Sequence, residues 1–134
     1  MCGIVGIASR NPISNRQWLD KGRDALSHRG PDDAGSWWSD EGRVGLAHRR
    51  LAIVDLSPSG HQPMTYLRTS CSIVFNGEIY NHHSLREELV QLGYDFVSNG
   101  DTEVILAAYG KWGLDCLHHF KGMFAFALFD PNTD

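Results

Sequence analysis

The chain has 134 residues, with 12 Lys and Arg against 16 Asp and Glu and a formal net charge of −4. Hydrophobic residues make up 42% and charged residues 21%, which excludes a disordered tail; the absence of a dominant basic run argues against nucleic-acid or anionic-membrane partners. No apolar stretch approaches the ~18 residues of a spanning helix, and the first residues lack a basic segment leading into a long apolar one, so a cytoplasmic location is expected.

The length is that of one domain. Residues 2–8 are β-branched and apolar and read as a buried strand. Residues 17–27 place Trp18, Leu19, Ala25 and Leu26 at helical spacing, with Ser14 or Asn15 as cap. His28-Arg29-Gly30-Pro31-Asp32-Asp33 breaks that helix into a loop. Residues 36–39 and 43–55 read as strands around Asp40-Glu41-Gly42, with Leu46, His48, Arg50, Ala52 and Val54 on one face. The alternation fails near Arg49-Arg50, which predicts a bulge or break there. After a Ser/Pro/Gly loop, residues 64–67 and 71–80 form a hairpin around Thr69-Ser70, and Asn76-Gly77 is expected to interrupt the second strand as a turn or bulge.

Residues 82–92 form an amphipathic helix with Leu85, Leu89 and Leu92 inward, opened by a Ser84–Glu87 capping box or by Asn81. Residues 94–97 are expected as a strand, 103–111 as a helix opened by Asp101 or Thr102, 114–120 as a short helix and 123–129 as an apolar strand. No repeat is found. The uneven blocks predict an α+β fold with mainly antiparallel sheets covered by helices.

Cys2, Cys71 and Cys116 are odd in number and unpatterned, which argues against a disulfide framework and a zinc site. The paired histidines, His82-His83 and His118-His119, show no ligand spacing, so no metal is expected. Cys2 follows Met1, and methionine removal before a small side chain would leave an N-terminal cysteine. Its α-amine and thiol have ordinary pKa values of roughly 7.7–8.0 and 8.5. One residue would then supply nucleophile and base. The plain alternative is a buried strand cysteine.

Asn76-Gly77 offers a side-chain amide and a close main-chain N–H, the donors that a tetrahedral oxyanion needs; the alternative is an Asn-Gly turn. Arg50 and Asp101 suit the carboxylate and ammonium of a free amino acid. Each has a plain reading too, a surface charge for Arg50 and a helix cap for Asp101.

Taken in order, the blocks Met-Cys-Gly-Ile-Val-Gly, His28-Arg29-Gly30-Pro31-Asp32, Ala47-His48-Arg49-Arg50-Leu51, Gln62-Pro63, Asn76-Gly77-Glu78-Ile79-Tyr80-Asn81, Asp101-Thr102-Glu103-Val104-Ile105 and Gly122-Met123-Phe124-Ala125-Phe126-Ala127 span nearly the whole chain. They resemble the glutaminase domain of glutamine-dependent asparagine synthetase, a class II glutamine amidotransferase of the N-terminal-nucleophile hydrolase fold. The resemblance implies a four-layer αββα sandwich over residues 1–134, incomplete at its C-terminal end. It implies Cys2 as nucleophile, Asn76 and Gly77 as oxyanion hole, Arg50 on the glutamine carboxylate, and Asp101 with Glu78 at the α-ammonium. From the resemblance alone, Leu51, Ala52, Ile53 and Val54 line the same pocket.

The implied reaction is hydrolysis of L-glutamine through a γ-glutamyl thioester. The ammonia would pass to a C-terminal synthetase domain that alone would need ATP and Mg, so no cofactor is expected in this chain. Where the family usually has Ser before the Asp-Thr-Glu block this chain has Gly100, which implies a looser Asp101. Two rivals stand beside this reading. One is a non-catalytic domain kept for packing or partner binding. The other is an amidase or amidotransferase that serves a different substrate or acceptor. The strand over 123–129 is expected to need a partner beyond the end of the chain, and an unpaired edge invites self-association, so a homodimer is a further expectation.

Overall fold

The computed structural model describes residues 2–53 and 56–133. Met1 and Val54 therefore lie outside the described residues, and with them the expected removal of Met1 and the expected pocket role of Val54. In chain order the elements are β1 (Gly3–Ala8), α1 (Gln17–Ala25), β2 (Asp33–Trp38), β3 (Val44–Arg50), a 3-10 turn (Pro58–Gly60), β4 (Met64–Tyr66), β5 (Cys71–Ile79), α2 (His82–Gln91), α3 (Thr102–Trp112), a second 3-10 segment (Gly113–His119) and β6 (Gly122–Phe129).

The strands make two three-stranded sheets, ordered β1-β3-β2 and β4-β5-β6, and every pairing is antiparallel. Helix α1 packs on the first sheet, α3 packs on β4 and β5, and β1 and β3 face β5 between them. The result is the expected helix–sheet–sheet–helix layering. The main core lies between the second sheet and α3, where Ile73, Phe75, Ile79, Leu89, Ile105 and Leu106 are buried. Each contributes about 1.5–3 kcal/mol by leaving water. Residues Thr102 to Ala108 of α3 are all buried, because this helix is apolar on nearly every side.

Several local expectations are corrected. The strand expected over 43–55 ends at Arg50, so the break foreseen near Arg49-Arg50 is where β3 stops. Asn76-Gly77 does not interrupt β5. The ladder to β6 runs through it, pairing Asn76 with Ala125 and Gly77 with Phe124, and Gly77 meets this with a φ of 145°. The strand expected over 94–97 does not form. Leu92 is exposed rather than inward. The Ser84–Glu87 capping box is absent: Ser84 Oγ donates to the Asn81 carbonyl at 3.0 Å. Asn81 occupies the cap position of α2, but its side chain reaches away, to Lys121 N at 2.8 Å and His119 O at 2.9 Å. At α1, Asn15 Oδ1 accepts the Gln17 N–H at 3.2 Å. Strand β6 has a partner within the chain, β5, and is an edge of its sheet on the other side.

One length difference shapes everything that follows. Strand β4 covers only Cys71 to Ile73 of β5. The chain joins the ladder only at Met64, after the Gln62-Pro63 step. From Phe75 onward the β4-side edge of β5 is therefore open to side chains.

Candidate active site

That open edge borders a cavity of about 200 Å³, lined among others by Cys2, Arg50, Leu51, Ile53, Asn76, Gly77, Glu78 and Asp101. The structure thus brings together residues up to a hundred positions apart in the chain. Of the residues proposed from the sequence, Ala52 does not line the cavity; its N–H is given to Asp32 Oδ2 at 2.8 Å.

Side chains substitute for a missing strand along the edge. Continuing the β4 register would set residue 62 opposite Phe75. Instead of its main chain, Gln62 offers its side chain: Oε1 accepts the Phe75 N–H at 2.6 Å, and Nε2 donates to Thr102 Oγ1 at 3.1 Å. Four residues further on, Asp101 Oδ2 accepts the Ile79 N–H at 2.9 Å. Main-chain N–H groups on one edge recur with period two. The N–H of Gly77, between those of Phe75 and Ile79, emerges on this same edge, toward the cavity. A Cβ at Gly77 would overlap the Met123 carbonyl and the Phe124 backbone, so only glycine fits here.

The side chains of Asn76 and Glu78 stand on the opposite face from Phe75 and Ile79, turned toward the first sheet. Asn76 Oδ1 is buried and has no hydrogen-bond partner among the described residues. From β3, His48 crosses the interface, and its Nε2 lies 3.1 Å from the Phe75 carbonyl. That acceptor requires the proton on Nε2. Burial, the largest influence, pushes the His48 pKa down to about 4, so the imidazole is neutral at pH 7 and acts as a strut.

The thiol of Cys2 enters the cavity just before β1. Its Sγ accepts the Leu51 N–H at 3.4 Å and lies 3.7 Å from the Leu51 carbonyl. Arg29, from the His-Arg-Gly-Pro-Asp loop, donates Nε–H to the Cys2 carbonyl at 3.0 Å, and Arg49 donates to the Gly30 carbonyl at 2.8 Å. The loop motif therefore serves to seat the cysteine. Cys71 and Cys116 are buried in the core instead, and burial raises both thiols, that of Cys116 to about 11.

Arg50 ends β3, is buried, and donates Nη1–H to the Ser57 carbonyl at 2.9 Å. Its guanidinium lies against Gly60, where a Cβ would overlap Nη2. Asp101 holds the cap position of α3 but makes no capping bond from its side chain; the carboxylate turns to Ile79 instead. Burial raises its pKa above the usual carboxylate range, the Ile79 N–H offsets part of this, and the charge of nearby Glu78 adds a smaller push upward. An arginine fork and two neighbouring carboxylates in one small cavity match the two charged ends of an amino acid. Among the described residues no group of three or more His, Cys, Asp or Glu side chains is placed to hold a metal ion, and no helix is long and apolar enough to cross a membrane.

Sequence reasoning singled out neither Gln62, Gly60 nor Ser98 as part of the site. Gln62-Pro63 was legible as a block, but its work depends on where β4 stops.

The fold is that of N-terminal-nucleophile amidotransferases. A glutamine phosphoribosylpyrophosphate amidotransferase from B. subtilis, complexed with ADP and GMP, superposes with a TM-score of 0.80 over 97% of this chain and 35% of its own, at 21% identity. The family profile described as "Glutamine amidotransferase domain" matches residues 1–134, and the chain belongs to that family. It is 43% identical to asparagine synthetase [glutamine-hydrolyzing] 3 of Bacillus subtilis, over 100% of this chain and 22% of the relative. It is 40% identical to amidase chry2 of Gibberella zeae, over 98% of this chain and 21% of the relative. The chain thus spans about a fifth of the length of these relatives.

Proposed function

We propose that this chain hydrolyses L-glutamine to glutamate and ammonia with Cys2 as nucleophile. The observation that carries the reading is the sharing of one cavity by a thiol, an arginine fork, an open main-chain N–H edge and a buried carboxylate. Arg50 binds the α-carboxylate, and Asp101 with Glu78 binds the α-ammonium, which extends the carboxamide toward Cys2. Leu51 and Ile53 complete the wall.

With Met1 removed, the α-amine of Cys2 takes the thiol proton. The thiolate adds to the side-chain carbonyl carbon, and the oxyanion is held by the Asn76 amide and the Gly77 N–H. The amine returns the proton to the departing nitrogen, and the C–N bond breaks to give ammonia and a γ-glutamyl thioester. Water then adds to the thioester, and glutamate leaves with the thiol restored. No metal or cofactor enters these steps.

In the whole protein the ammonia feeds a C-terminal ATP-dependent synthetase domain in the cytoplasm. Aspartate is the acceptor by similarity to the asparagine synthetases; the 40% identity to a fungal amidase favours a different acceptor as the second reading. A homodimer through the open β6 edge belongs to the same proposal. The deciding experiment is glutamate release from glutamine by the Met1-processed chain. Activity that survives Cys2→Ala, or that persists with Met1 retained, overturns the mechanism.

A further inference from the structure

Residues 92–101 carry no helix or strand, yet they end on Asp101 and line the cavity through Ser98 and Gly100. A segment outside any ladder must find other partners for its main-chain groups. Two side chains on two different helices supply them. Glu103, buried on the first turn of α3, accepts the N–H of Val97 at 3.0 Å, the N–H of Ser98 at 2.7 Å and the Ser98 hydroxyl at 2.7 Å. Arg86 of α2 donates to the Ser98 carbonyl at 2.8 Å and the Gly100 carbonyl at 2.7 Å, and its guanidinium lies over Phe96 at 4.4 Å from the ring centre.

The two side chains grip the same stretch, Glu103 by its N–H groups and Arg86 by its carbonyls. Charge-assisted bonds of this kind are the stronger sort, and the forked guanidinium bridges two carbonyls that a lysine ammonium would meet less well. The grip also answers the Gly100 substitution. Whatever a serine hydroxyl would add at that position, the Gly100 carbonyl is already anchored by Arg86.

We infer that Arg86 and Glu103 are positioning residues that select for an α-ammonium group, because they fix the segment that presents Asp101 to the cavity. The inference rests on the glutamine reading of the cavity. Neither residue touches the reacting atoms. A loosened segment would cost the contact between Asp101 and the ammonium and leave the carboxylate contact at Arg50 in place. What distinguishes this from a merely structural role is a loss of preference, glutamine against the same amide without its α-amino group (glutaramate).

The test uses the whole chain in a Cys2→Ala background, so that binding is measured without turnover. Calorimetry gives Kd for glutamine and for glutaramate, with and without Arg86→Lys or Glu103→Gln. Glutamine should weaken about tenfold in either variant while glutaramate changes less than about twofold. Should Glu103→Gln fail to fold, Ser98→Ala, which removes one donor to the same carboxylate, should show the same trend at smaller size. An equal weakening for both ligands, no change for either, or no preference for glutamine in the parent overturns the inference. Intact preference in this background, with no glutamate release from the Met1-processed chain that keeps Cys2, faults the nucleophile assignment instead.

Discussion

The carboxylate of Asp101 accepts the main-chain N–H of Ile79 at 2.9 Å, joining the start of α3 to the far end of β5. This bond places a buried carboxylate two residues from the Gly77 amide along one strand edge. It also holds Oδ2 of that carboxylate at the strand edge.

Stability and binding should part company at Asp101. Burial raises its pKa, so the folded protein keeps this proton at pH values where the unfolded chain has lost it. Stability from this group is full below the ordinary carboxylate pKa and falls as pH climbs through the raised one. Asp101→Asn keeps an acceptor for Ile79 and removes the buried charge. The variant should melt a few degrees higher at pH 7, show no advantage below pH ~4, and bind glutamine at least about tenfold more weakly. Thermal melts across pH together with KM measurements check both halves.

Gly60→Ala tests the seat of Arg50. The added methyl would overlap only the tip of a flexible guanidinium, so the fold should tolerate it. The displaced fork should raise the glutamine KM about tenfold with little change in Tm. A KM matching the parent protein would show that Arg50 does not hold the substrate.

At Gly77 the outcome should be reversed. Here the overlap is with the β6 backbone, and the φ of 145° is one that residues with a side chain rarely adopt. Gly77→Ala should cost about 1–3 kcal/mol in conformational strain alone, read as a lower urea midpoint. Glutamate release should fall by about a hundredfold or more as the oxyanion donor moves.

His48 should set the acid limb of stability. Its pKa falls from 6.5 to about 4, chiefly through burial. Below the unfolded value the unfolded chain takes up a proton that the folded one refuses, so stability drops between pH 6.5 and about 4, by about 3 kcal/mol at most. His48→Gln should flatten this limb in denaturant titrations at pH 7 and 4.5. An unchanged slope would place the acid sensitivity elsewhere.

Much of the layout was legible early because it is written in local chemistry. Apolar runs marked β1 and β6, the turn at Thr69-Ser70 marked the β4–β5 hairpin, and helical spacing marked α1 and α2. The ordered blocks around Cys2, Arg50, Asn76 and Asp101 were read as one site, and the fold puts these residues around one cavity. The errors lie where local pattern and tertiary contact disagree. Residues 94–97 look like a strand, but Glu103 and Arg86 satisfy that region's main chain in place of a sheet neighbour. Asn76-Gly77 looks like a turn, yet cross-strand pairing with Ala125 and Phe124 holds it extended.

The sequence by itself determined the family, the antiparallel α+β character and the residue types of the site, since these follow from side-chain identity and spacing. Only the tertiary structure decided which groups those residues answer to. Strand β4 covers only one end of β5, and the exposed edge beyond it is filled by Gln62 and Asp101. No periodicity encodes that substitution, because it depends on N–H groups that become available only where one arm of a hairpin stops short of the other.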